Sequence, residues 1–189
     1  KPVVQPPALV PAIVSGAAAL QFTAAHGATR FSIKKTPKGM KFSTATGMLS
    51  GTPDLPDTHE IIITAFNASG ASQPLTFLWQ VEPLPDGTPG AYHGLVDGGT
   101  ELTGGLGGRF TATLTPTGAF SGNLTLGAES LRFSDRLKAL PSGAAPPEAT
   151  VIIKRAGGRP PVTLAFEVQD GIITGSLDDG EKPPAGFTA

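Results

Sequence analysis

The residues of this 189-residue chain whose types could do chemistry are three histidines, two short acidic runs, one glycine-rich stretch, and a single tryptophan and tyrosine. His26, His59 and His93 are scattered, with no H-x-H or H-x-x-x-H spacing to bring two imidazoles to one metal, and they read as turn and surface residues. Asp54, Asp57 and Glu60 stand close together, and carboxylate oxygens so grouped can hold Ca²⁺. Their spacing matches no calcium loop, so a solvated turn is the expectation and calcium the alternative. Asp178, Asp179 and Glu181 read the same way, in a segment that Gly180 and Pro183 make a mobile tail. Gly104-Gly105-Leu106-Gly107-Gly108 lacks the Lys-Ser/Thr that completes a phosphate loop and reads as a hairpin loop. Serine and threonine are abundant without a G-x-S-x-G elbow or a partnered histidine, so nucleophilic catalysis has no foothold. Trp79 and Tyr92 are rings of the kind a sugar-binding module stacks on. Against that, Trp79 alternates with Phe77 and Val81, which places it on a packed strand face. The residues that could touch a ligand are therefore Trp79, Tyr92, Asp54 and Asp57. No cofactor is implied.

These groups sit in a chain rich in turn formers, with 25 Gly and 19 Pro, only 15% charged residues and 39% hydrophobic residues. That composition suits turn-rich β structure with packed cores better than disorder. Fourteen basic against fifteen acidic residues leave a formal charge of −1, which offers no electrostatic footprint for nucleic acid. The absence of cysteine excludes disulfides, thiol catalysis and Cys-ligated zinc. No run reaches the roughly 18 apolar residues of a membrane helix. A chain that opens on Lys1 reads as a piece of a longer protein, with neighbouring domains as its first partners.

The elements follow from period-two alternation and from glycine and proline punctuation. Residues 1–14 carry four prolines and suit an extended linker feeding an edge strand. Short strands are expected at Leu20–Ala24 and Phe31–Ile33, and tight turns at Gly39, Gly47 and Gly51. A hairpin is expected between Ile61–Phe66 and Leu75–Val81 around Asn67-Ala68-Ser69-Gly70. The breakers from Pro83 to Gly90 mark a joint near residue 85. Beyond it a Gly-x-apolar-x-Gly pattern recurs at Gly90-Tyr92-Gly94, Gly118-Phe120-Gly122 and Gly171-Ile173-Gly175. The second and third instances follow the alternating strands Phe110–Leu114 and Val162–Val168, giving two similar hairpins. Leu131–Phe133 and Thr150–Ile153 supply further strands.

Phe31–Val81 resembles the bacterial putative-Ig family, cadherin-like modules found in tandem on large surface proteins. The resemblance rests on Pro37-Lys38-Gly39-Met40, on Thr46-Gly47-Met48-Leu49-Ser50-Gly51-Thr52-Pro53 and on Ile63-Thr64-Ala65-Phe66-Asn67-Ala68-Ser69-Gly70. Thr36 stands where the family has Leu, and Leu55–Thr58 where it has a glycine turn. The second half resembles the Gly-aromatic-x-Gly β repeats of planctomycete and verrucomicrobial surface proteins. These resemblances imply an Ig-like β sandwich over residues 1–84 and a small antiparallel β barrel or sandwich over 85–189. They also imply a secreted or cell-surface location and a non-catalytic structural or adhesive role, with glycans or surface proteins as further partners. Carbohydrate binding is the alternative role, and neither nucleic-acid binding nor membrane insertion is expected.

Overall fold

The computed structural model describes residues 1–97, 107–141, 144–180 and 184–189. Its regular elements are β-strands, and they fall into two compact units, Lys1–Pro83 and most of the chain from Leu84 to Ala189.

In the first unit, β1 (Val3–Gln5) pairs with β4 (Thr23–Ala25), and β3 (Ala18–Gln21), β7 (Met48–Gly51) and β6 (Met40–Phe42) form a three-stranded sheet. The larger sheet runs β2 (Ala12–Ile13), β10 (Leu75–Glu82), β8 (Thr58–Asn67), β5 (Arg30–Lys34), and the short β9 (Gly70–Ala71) also pairs with β8. The long strands β8 and β10 hold because their alternation puts Ile61, Ile63 and Ala65 beside Phe77, Trp79 and Val81 on one buried face. Leu20 and Leu49 of the smaller sheet are buried with them, and Phe22 meets Phe77 edge to face at 5.7 Å. Gly39 has φ +86°, and a Cβ there would run into the Thr52 carbonyl, so the Pro37–Met40 turn requires glycine. The expected hairpin carries a kink. Asn67 pairs with Gly70, but Ile63 pairs with Leu75, a register displaced by one residue. Ser72 fills the resulting bulge, its hydroxyl accepting from Ala65 N (3.0 Å) and donating to Gln73 O (2.8 Å).

The second unit is one eight-stranded antiparallel sheet. Its order is β14 (Glu129–Arg136), β13 (Ala119–Leu126), β12 (Gly108–Leu114), β11 (Gly90–Val96), β18 (Ala185–Thr188), β17 (Ile172–Asp178), β16 (Val162–Gln169), β15 (Glu148–Ile153). Because β14 and β15 are successive in the chain, this order is that of an up-and-down barrel. The end strands meet at one backbone bridge, Lys138 N to Glu148 O (2.7 Å) and Glu148 N to Lys138 O (3.0 Å). The tail expected to be mobile is instead β18, which joins β11 to β17 and buries Phe187. This strand of four residues fills the place between β11 and β17. The glycine run expected as a loop lies, as far as Leu106, outside the described residues, and Gly108 opens β12.

Phenylalanines fill the inside. Phe110 lies 4.6 Å from Phe187, 5.6 Å from Phe133 and 6.1 Å from Phe166, while Phe120 lies 5.1 Å from Phe166 and 6.2 Å from Phe133. Their room comes from the second glycine of the recurring pattern. Gly122 on β13 pairs with Phe133 on β14, and Gly175 on β17 pairs with Phe187 on β18 in the corresponding place. A Cβ on Gly122 would meet the Phe133 ring and the Thr111 carbonyl, and one on Gly175 would come within 2.7 Å of the Phe187 ring. Each glycine therefore lets a neighbouring ring lie flat over the strand. Gly122→Ala should destabilise the barrel by about 1–3 kcal/mol, the usual penalty of overpacking, whereas Gly186→Ala, with its nearest atom 3.9 Å away, should be near neutral in urea denaturation.

Candidate functional site

Trp79 is 1% exposed, in the middle of the hydrophobic row on β10 between Phe77 and Val81, with the His59 ring 6.2 Å away. Its Nε1 has no hydrogen-bond partner among the described residues. An orphaned buried N–H costs about 1–3 kcal/mol, which the burial of a whole indole outweighs. Tyr92, on β11 of the second unit, is also buried, and its hydroxyl lies between Gly87 O (2.6 Å) and Thr88 O (2.8 Å). Neither ring offers a face for a sugar to stack on. Tyr92 instead pins the segment before β11 to the barrel, with Leu84 and Thr88 buried alongside.

The acidic residues are dispersed. Asp57 Oδ1 accepts from the Thr58 amide (2.7 Å), Glu60 pairs with Lys35 (2.9 Å), and the Asp54 amide donates to Lys38 O (3.1 Å). No group of three His, Asp or Glu side chains able to hold a metal occurs among the described residues. His26 sits in a turn at φ +62°, its carbonyl accepting from Asn67 Nδ2 (2.8 Å).

The C-terminal acids correct the sequence reading most. Asp178 caps a turn by accepting from Gly180 N (2.8 Å), and Glu181 lies outside the described residues. Asp179, expected in a solvated tail, is 2% exposed and meets Arg155 at 3.4 Å. Arg155 also grips Glu129 through Nε (3.0 Å) and a terminal nitrogen (2.9 Å), and Arg159 meets the second Glu129 oxygen at 2.7 Å. Glu129 opens β14, while Arg155 follows β15 by two residues, so the ion pairs cross between the two end strands of the sheet. Hydrogen bonding to Glu129 raises the Arg155 pKa further against the lowering effect of burial, and the guanidinium stays charged throughout the working pH range.

A further set of polar side chains stands on the outer face of the barrel. Across β11, β12, β13 and β14 the register aligns His93, Thr111, Asn123 and Arg132 in one row and Thr113, Ser121 and Ser134 in the next. They line a shallow groove of about 670 Å³, floored by Ala112, Gly122 and Phe133. Sequence reasoning missed this site because its residues are gathered from four strands. The signal present was the run of polar out-facing positions opposite the second glycine.

Residues 1–82 match the family model described as Putative Ig domain. No curated protein matches the sequence. Among solved structures, the chain matches a putative alpha-galactosidase/melibiase from Bacteroides fragilis at 22% identity and TM-score 0.38, over 48% of this chain and 19% of that one. It matches the D00–D0 domain of intimin at 13% identity and TM-score 0.37, over 98% of this chain and 95% of that one. The chain thus spans about a fifth of the galactosidase chain, and at these scores neither superposition places it in a common fold with its match.

Arg155→Met should destabilise the barrel by about 3–5 kcal/mol, the scale for breaking a buried ion pair, and adding Glu129→Gln should restore part of the loss in a double-mutant cycle by urea denaturation. Burial raises the Tyr92 pKa above its ordinary 10.0. The folded state thus holds the phenol neutral where the unfolded chain ionises it. Stability from this source is complete below pH 10.0 and declines as the pH rises through the folded value. Since Tyr92 is the sole tyrosine, tyrosinate absorbance should report the shift directly, and Tyr92→Phe should remove that part of the alkaline destabilisation.

Proposed function

We propose that this chain is a non-catalytic structural or adhesive module of a secreted or cell-surface bacterial protein, working beside neighbouring domains of a longer chain. The observation that carries this reading is the phenylalanine packing inside the barrel. An eight-stranded barrel has an interior just wide enough for side chains or one small ligand, and here the five rings occupy it. The match of residues 1–82 to the Putative Ig domain supports a sandwich of the kind used as a bead in surface proteins. The barrel alternates apolar inward and polar outward, with Phe110, Ala112 and Leu114 buried between Arg109, Thr111 and Thr113. A lipid-embedded barrel has the reverse pattern, an apolar band outside and a polar lumen. Among the described residues no helix is long and apolar enough to cross a membrane. The ion-paired groups Arg155, Glu129 and Asp179 join strands to one another, which is a structural use of charge.

Two carboxylates with no ion-pair role among the described residues, Glu148 and Glu167, stand directly opposite each other on β15 and β16. The full chain incubated with panels of glycosides, esters and phosphoesters should release product no faster than buffer, and Ca²⁺ or EDTA should leave its melting temperature unchanged. Turnover that persists through purification and falls with Glu148→Gln or Glu167→Gln would overturn the reading.

A further inference from the structure

We propose that the outer face of β11–β14 binds an acidic polysaccharide, with Arg132 taking a uronate carboxylate and Asn123, Thr113, Ser121 and Ser134 taking the sugar hydroxyls. This rests on the adhesive half of the reading above and names its ligand class. The groove is polar along its walls and lies across the outer faces of strands β11–β14, centred on β12 and β13. An extended peptide docks by adding to a free strand edge, and strands β12 and β13 are paired on both sides. Hydroxyls and amides both donate and accept, which matches a ligand whose own hydroxyls do both.

Two further observations favour this ligand. The wall is ordered in advance: Asn123 Oδ1 accepts from Ser130 Oγ (2.9 Å), its Nδ2 donates to Thr125 Oγ1 (3.3 Å), and Thr111 donates to Asn123 O (3.2 Å). The side-chain amide is thereby held with one N–H left to give, so a ligand orders little that is not already ordered. The second observation is internal to the fold. The equivalent glycine, Gly175, floors a smaller groove of about 310 Å³ on β15–β17, built on the same plan but walled by Glu148 and Glu167. The two grooves share construction and differ in charge, and only the one carrying His93 and Arg132 suits an anion. A single arginine without exposed aromatic rings is a poor match for single-stranded nucleic acid, which takes stacking platforms and a basic track.

The test is calorimetric titration of the full chain with oligogalacturonate, with neutral dextran oligomers and with oligothymidylate as an unrelated polyanion. Oligogalacturonate alone should bind. Arg132→Gln should weaken it roughly tenfold or more, the scale of a lost charge-assisted hydrogen bond, and Thr113→Val with Ser121→Ala should weaken it independently. Lys154→Gln, which removes an exposed cation outside the groove, should leave it unchanged. All these positions are outward, so melting temperatures should match the parent and exclude misfolding. Absence of binding, equal binding of dextran or oligothymidylate, or equal loss with Lys154→Gln would each overturn the groove while leaving the non-catalytic module intact. Cleavage of the oligogalacturonate would instead sink the non-catalytic reading.

Discussion

Phe110 touches the rings of Phe133, Phe166 and Phe187 at the middle of the barrel, and most features of the second unit follow from that contact. Eight strands close around a space of fixed width, and that space must be filled to native density or the strands will not hold their curvature. Each fully buried phenylalanine contributes about 1.5–3 kcal/mol over an exposed one, so a cluster of five outweighs the individual polar contacts. Filling has a geometric consequence. Rings as large as Phe133 and Phe187 fit only where the strand opposite gives up its side chain, which is where Gly122 and Gly175 stand. The second glycine of the pattern is therefore a packing residue, and the first, Gly118 or Gly171 with positive φ, stands in the turn that launches the strand.

A barrel filled in this way still has to be closed, and the weakest closure lies between β14 and β15. One backbone bridge joins them at Lys138 and Glu148. The Glu129–Arg155 and Glu129–Arg159 pairs join the chain at the opposite end of β14. Isolated surface ion pairs contribute little, but Arg155 and Asp179 are buried and form a connected set, where each charge compensates the desolvation of its neighbours. The same reasoning explains β18. Four residues make a poor strand on their own, yet between β11 and β17 they complete the ring of hydrogen bonds that an open sheet would leave exposed.

What was legible in the sequence is what a local pattern can encode. The alternation at Ile61–Phe66, Leu75–Val81, Phe110–Leu114 and Val162–Val168 lies on strands β8, β10, β12 and β16. The same alternation set Trp79 on a face with Phe77 and Val81, all three of which are buried. What was not legible depends on residues distant in the chain. Arg155 is 26 residues from Glu129 and 24 from Asp179, so nothing local distinguishes Asp179 from a solvated tail acid. Ala185–Thr188 has too few residues to show a period, and its neighbours decide its state. The bulge at Ser72 required knowing that a serine hydroxyl would accept the Ala65 amide in place of a carbonyl. The groove on β11–β14 is the extreme case, since its two rows are assembled from single residues on four strands.

That division bears on where function can reside. A core that is closed and full leaves only surfaces, and on a β barrel the surface positions are the alternate ones that packing does not dictate. The two halves of the barrel share inward residues of similar kind, Phe120 with Ile173, Leu124 with Leu177 and Phe133 with Phe187, each pair holding the same place in the register. Their outward residues do not correspond: Arg132 and His93 border one glycine-floored groove, and Glu148 and Glu167 border the other. Packing accounts for the likeness inside. It gives no reason for the contrast outside, because none of those side chains supports the core. The charge difference between two grooves of one design is thus the feature of the barrel that folding leaves unexplained, and it is there that selection for a ligand would act.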